Sequence, residues 1–147
     1  MKYNFSISPY IDVSQKNKLS QNKQAGARKK PDRVEGTLSC ELPKTLVKKN
    51  DIHITSKRNF DCFQDTELDM LLKRTLNVKN IIICGVNTDT CVYGTTFGAS
   101  NRGYNPIVIE CCTGSMRGED QHKTALKIMS QSIAWVMKKE EILNKLN

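Results

Sequence analysis

The chain has 147 residues, 38% of them hydrophobic and 26% charged, an ordinary balance for one globular domain able to bury a core. No apolar run approaches the ~20 residues of a membrane-spanning helix, and the opening MKYNFSISPYIDVSQ has no apolar block of the kind a secretory signal carries. The net charge of +8 is unevenly placed: residues 1–33 hold eight Lys/Arg against Asp12 and Asp32, which leaves +2 for the other 114 residues.

Residues 14–33 (SQKNKLSQNKQAGARKKPDR) contain one large aliphatic residue, Leu19, among many Lys, Gln and Asn. Such a segment buries too little surface to offset its ordering entropy, so residues 1–33 are expected to be a basic, mostly disordered leader, with the folded domain at 34–147. A basic tail can attract nucleic acid electrostatically, but no aromatic residue is interleaved to stack on bases; a solvated linker is the favoured reading over a nucleic-acid partner.

From residue 34 strand and helix signals alternate. IHIT (52–55) is a short β-branched run; Thr66 with Asp69 three positions on suggests a helix cap, followed by a stripe of Leu68, Leu71, Leu72 and Leu76. IIIC (81–84) predicts a strand covered on both faces, and a second helix is expected from near Asp89 to the stop signal Asn101-Arg102-Gly103. NPIVIE (105–110) predicts another buried strand, with Pro106 tolerable at its start. Ala125, Leu126, Ile128, Met129 and Ile133 mark a third helix, AWVM (134–137) a last strand with Trp135 in the core, and KKEEILNKL a terminal helix. This order predicts an α/β fold: a three-layer parallel sheet with helices on both faces and right-handed crossovers.

The six cysteines (40, 62, 84, 91, 111 and 112) form no CxxC pair, and His53 and His122 stand apart. Free thiols in a reducing cytoplasm are therefore expected, with no metal and no cofactor. His122 is read as a capping or packing residue.

In open parallel sheets ligands sit at the carboxyl ends of strands, and GVNTDTCV (85–92) occupies such a loop. A helix N-terminus favours a negative sulfur, and its N–H groups can hold an oxyanion forming beside it. Local pattern alone leaves Cys91 open between a nucleophile and a small, inert, packed residue.

GVNTDTCVYGTTFGASNRGY, then VIECCTGSM, then HKTALKIM, together with the upstream SKRNFDCFQDTELDMLL, resemble the isochorismatase-like cysteine hydrolase family over about residues 35–137. The resemblance implies that Cys91 attacks a carbonyl carbon and forms a thioester. Lys57, 34 positions earlier, matches the catalytic lysine. It implies a cis peptide at Val86–Asn87 and an oxyanion hole built from the backbone N–H groups of Asn87 and Cys91. Thr88 and Asp89 match turn and helix-cap positions.

Members that cleave the vinyl ether of isochorismate replace this cysteine. Its presence implies cleavage of a C–N bond in a small-molecule amide, ureide or carbamoyl substrate. The Asp/His/His metal cluster of the nicotinamidase branch has no counterpart, and Asn87 with the ending SIAWVM looks nearest to biuret- or ureidoacrylate-type hydrolases.

The family's catalytic Asp, at the end of its first strand, is not identifiable. Asp12, in YIDVSQ, is the one candidate base, and only 44 residues separate it from Lys57. The resemblance thus implies an N-terminally truncated chain lacking the first strand–helix–strand unit. Residues 3–11 could fill part of that gap, or a partner chain could, and a homo-oligomer is expected. The alternative function is an impaired relic of the hydrolase fold that acts by association.

Overall fold

The computed structural model describes residues 5–7, 38, 41–42 and 44–146. It divides into two compact units, Met1–Arg58 and Asn59–Asn147. Of the expected leader, residues 1–33, only 5–7 are described, and they form a strand rather than a disordered stretch; the rest of the leader, 14–33 included, lies outside the described residues. Among the described residues, no helix is long and apolar enough to cross a membrane.

In the first unit, β1 (Phe5–Ile7) and β2 (Ile52–Ile54) pair in parallel, with Phe5 opposite Ile52 and Ile7 opposite Ile54. The β-branched run 52–55 is therefore a strand as expected, but its partner is β1, in a two-stranded sheet. Within the segment 3–11, residues 5–7 form a strand. Ile54 is fully buried.

The second unit holds a three-stranded parallel sheet in the order β3 (Asn80–Val86), β4 (Asn105–Gly114), β5 (Trp135–Met137). Ahead of β3, the leucine stripe forms α1 (Leu68–Met70), which widens into a π turn over Leu71–Thr75 and buries Leu68 and Leu72. Thr66 is not the cap expected of it: the N-cap is Glu67, with no side-chain cap bond, and Thr66 stands one residue earlier, where its hydroxyl accepts the Leu68 N–H at 3.3 Å. Asp69 does not close a capping box; its carboxylate accepts the Tyr104 hydroxyl at 2.9 Å, and Tyr104 stacks on Phe63 with ring centroids 5.5 Å apart.

Between β3 and β4 runs α2 (Tyr93–Asn101), ending where Arg102 and Gly103 were expected to stop it. Between β4 and β5 runs α3 (Glu119–Ser132), whose buried stripe is His122, Ala125, Leu126 and Met129. The chain closes with α4 (Lys139–Leu146). Alternation along the strands sets the core: Ile83, Val108 and Val136 lie in one register row, and Ile83 and Val108 are buried.

The neighbouring row, Ile82, Ile107 and Trp135, points the other way. Trp135, expected in the core, is 70% exposed, because β5 is a three-residue edge strand and its first residue falls on the less covered face. Ile82, inside β3 but in the same register row, is also exposed, so the run 81–84 is not covered on both faces.

Candidate active site

The site is built from two chain segments that leave adjacent parallel strands at their carboxyl ends. At the first, Gly85 takes φ +128°, a conformation L side chains rarely adopt, and lets β3 swing into the loop. The Val86–Asn87 peptide is cis, as the resemblance implied. Asn87 stays extended (φ −91°, ψ 143°), and its carbonyl accepts the N–H groups of Thr90 and Val92, each at 3.1 Å. This closes a wide π turn over Thr88–Val92 that runs straight into α2. Cys91 stands in that turn and is half-buried. Cys62, by contrast, is buried with the Thr95 hydroxyl 3.1 Å from its sulfur.

The second segment is the loop Ser115–Gly118, between β4 and α3. It is fastened to the cysteine turn at four points. The Asn87 side chain does not cap its own helix; its Oδ1 accepts the Met116 N–H at 3.0 Å. The Ser115 hydroxyl donates to Asp89 Oδ1 at 2.6 Å. The Arg117 guanidinium donates to Asp89 Oδ2 in an ion pair, and to Thr90 Oγ1 at 3.0 Å. Beneath them Thr88, fully buried, shares a hydrogen bond of 2.8 Å with Nδ1 of the buried His122.

Asp89 is not the cap expected of it: the N-cap of the turn is Asn87, with no side-chain cap bond, and the Asp89 carboxylate serves the Ser115–Gly118 loop instead. Burial alone would raise its pKa, but the hydrogen bonds from Ser115 and Arg117 and the Arg117 charge outweigh that and hold the carboxyl below its ordinary value. His122 packs as expected, with the added task of bonding Thr88.

Lys57 lies in the first unit, three residues past the end of β2, and is only 5% exposed. That burial removes the reading of a solvated surface lysine. Its carbonyl accepts an Arg58 guanidinium N–H at 3.3 Å. Asp12 lies outside the described residues. The structure thus brings together Asn87 and Cys91 from the expected set, and adds Ser115, Met116 and Arg117. Arg117 carried no sequence signal: it stands 28 residues from Asp89, and no periodicity links the two. Among the described residues, no group of three or more His, Cys, Asp or Glu is arranged to hold a metal ion.

The family model described as "Isochorismatase domain" matches residues 9–141. The chain belongs to the isochorismatase family. The uncharacterized isochorismatase family protein YecD of Escherichia coli O157:H7 is 33% identical over 97 residues, which is 66% of this chain and 50% of YecD. The chain spans about half the length of the curated relatives it matches.

Among solved structures, an isochorismatase-like hydrolase from Alkaliphilus metalliredigens superposes with a TM-score of 0.83 at 21% identity, covering 99% of this chain and 74% of that one. The nicotinamidase/pyrazinamidase PncA from Bacillus subtilis superposes at 0.78 with 23% identity, covering 93% and 75%. These likenesses show the isochorismatase-like α/β fold of this family member: the strand and helix order predicted the parallel α/β sheet, and the motif resemblance implied the family.

Proposed function

We propose that this chain is a cysteine hydrolase that cleaves a C–N bond in a small amide, ureide or carbamoyl compound. The observation that carries the reading is the position of Cys91: half-buried, in the first turn after a parallel strand, where open α/β sheets gather their ligands. Solved proteins of the same fold include nicotinamidases, named for hydrolysis of an amide, and a cysteine hydrolase from Pseudomonas syringae.

In this reading the Cys91 sulfur adds to the substrate carbonyl carbon, and the N–H groups of Asn87 and Cys91 face the oxygen as it becomes negative. Collapse of the tetrahedral adduct breaks the C–N bond; the leaving nitrogen takes a proton and departs as ammonia or an amine. Water then adds to the thioester, releasing the acid and restoring the thiol. By the family resemblance Lys57 takes the place of the catalytic lysine, and its burial supports that role over a solvated one. Asp12 is the candidate for the base that takes the thiol proton. The ureide-type substrates are favoured within the class by Asn87 and the SIAWVM ending.

The second reading, a fold that acts by association with another chain, draws on the exposed row of Ile82 and Trp135, which a second copy would cover in a homo-oligomer.

The test is ammonia release from a panel of small amides, ureides and carbamoyl compounds. Turnover that is lost in Cys91→Ser and Lys57→Ala is expected. No turnover on any member of the panel, or turnover unchanged by Cys91→Ser, overturns the hydrolase reading.

A further inference from the structure

Asp89 is the only acidic residue between β3 and α2, and it stands two positions before Cys91 in the same turn. Its carboxyl is held below the ordinary range, so it carries a full negative charge at neutral pH. A carboxylate so placed opposes a negative sulfur. The cation that meets it comes from the other segment: Arg117 pairs with Asp89 and also donates to Thr90, so it grips both residues that immediately precede Cys91. Ser115 completes the clamp, donating to Asp89 and accepting the Arg117 backbone N–H at 3.1 Å.

We propose that Arg117 is a positioning residue of the site, cancelling the Asp89 charge and fixing the two residues before Cys91 so that the sulfur reacts as though no carboxylate stood beside it. The inference rests on the reading of Cys91 as the nucleophile. Among the described residues, the charged and titratable side chains seen bonded within this segment are Asp89 of the turn itself, Arg117 of the β4–α3 loop, and the His122 ring of α3, bonded to Thr88.

A tie that merely holds the loop and a tie that balances charge differ in sign. If the contact only holds the loop, removing either partner loosens the turn and changes Cys91 in the same direction. If it balances charge, the two removals act oppositely.

The experiment is the rate of Cys91 alkylation by iodoacetamide near neutral pH, located by peptide mass analysis, with a thermal melt of each variant. Arg117→Ala is expected to slow the reaction about fivefold, the scale of one partly screened charge within a Debye length. Asp89→Asn is expected to accelerate it by a similar factor. The double variant should return close to the wild-type rate, and Arg117→Lys should retain most of it.

Rates that fall alike in Arg117→Ala and Asp89→Asn, or that stay unchanged in both, overturn the inference. Should Arg117→Ala fail to fold, Asp89→Asn alone decides: acceleration supports the inference and slowing overturns it. The readout is separate from turnover. A chain that releases no ammonia but shows opposite shifts loses the hydrolase reading and keeps the charge balance; a chain with turnover and like-signed shifts loses only the charge balance.

Discussion

Thr88 and His122 meet through a 2.8 Å hydrogen bond, joining the turn after β3 to the N-terminal part of α3. Both are buried, Thr88 completely, so the bond has no water to replace it. Thr88→Val keeps the shape and removes the hydroxyl, taking this partner from a buried ring nitrogen. The expected cost is about 1–3 kcal/mol, read as a lower urea midpoint with an unchanged slope. Adding His122→Phe to Thr88→Val should cost less than the sum of the two single changes, since no polar group is then stranded. Additive losses would show that the pair is not coupled.

The acid limb of stability should carry the mark of Asp89. Its folded pKa is depressed, so the unfolded chain binds the proton more readily. Stability from this group is therefore fully present above the ordinary aspartate value, about 4, and is lost as pH falls through the lower folded value. Asp89→Asn should flatten that part of the curve while lowering stability at neutral pH. Denaturation midpoints measured from neutral pH down to about pH 3 check this. Curves for wild type and variant that run parallel would contradict it.

What could be read from sequence follows from what is local. The helix Tyr93–Asn101 announced itself by its stop signal, and the strands at Asn80–Val86 and Asn105–Gly114 by their β-branched runs. The cis peptide at Val86–Asn87 was visible only through family resemblance, since no local rule demands it. Which face of a strand is covered is a property of its neighbours. Apolarity placed Ile82 and Trp135 inside, and sheet register placed them at the surface. Asp89 looked like a helix cap because caps are short-range. Its partners Ser115 and Arg117 are 26 and 28 residues away, on the loop of the next strand. Taken alone, Lys57 would pass for a surface lysine; family resemblance singled it out, and its burial is a property of the fold that no local pattern announces.

Gly98, on α2, is buried against the Asp61 carboxylate; a Cβ added there would come within 2.6 Å of Asp61 Cγ. Asp61 is not free to move aside without loss, because it accepts the Phe63 N–H at 2.8 Å and pairs with Arg102 at 3.3 Å. Arg102 in turn lies over the Phe63 ring, 5.0 Å from its centroid. Gly98→Ala is therefore expected to destabilise by about 1–3 kcal/mol, the usual range for overpacking, despite alanine's better helix propensity. Asp61→Ala in the same background should recover part of the loss. A Gly98→Ala variant as stable as the parent would show that α2 has room to shift.

The remaining thiols make a prediction about chemical selectivity. Cys84 on β3 faces a shift in the strand register, where Ile83 pairs with Val108 but Gly85 already pairs with Thr113. This brings it close enough to Cys112 for the second thiol to act on its titration. Although Cys84 reaches solvent, the protein around its sulfur pushes the pKa up to about 11, first by burial, then through Cys112 and Cys111. Cys112 is raised as well, by burial and by Cys111, with Cys84 and Lys139 acting in the opposite sense. Only the thiolate is nucleophilic, so the raised pKa leaves Cys84 largely unreactive at neutral pH. Iodoacetamide at neutral pH should therefore label Cys91 well before Cys84 or Cys112, and labelling of Cys84 should accelerate as pH rises towards 11. A time course with peptide mapping at two pH values reads this directly. Labelling of Cys84 as fast as Cys91 at neutral pH would mean that the turn before α2 gives its cysteine no advantage.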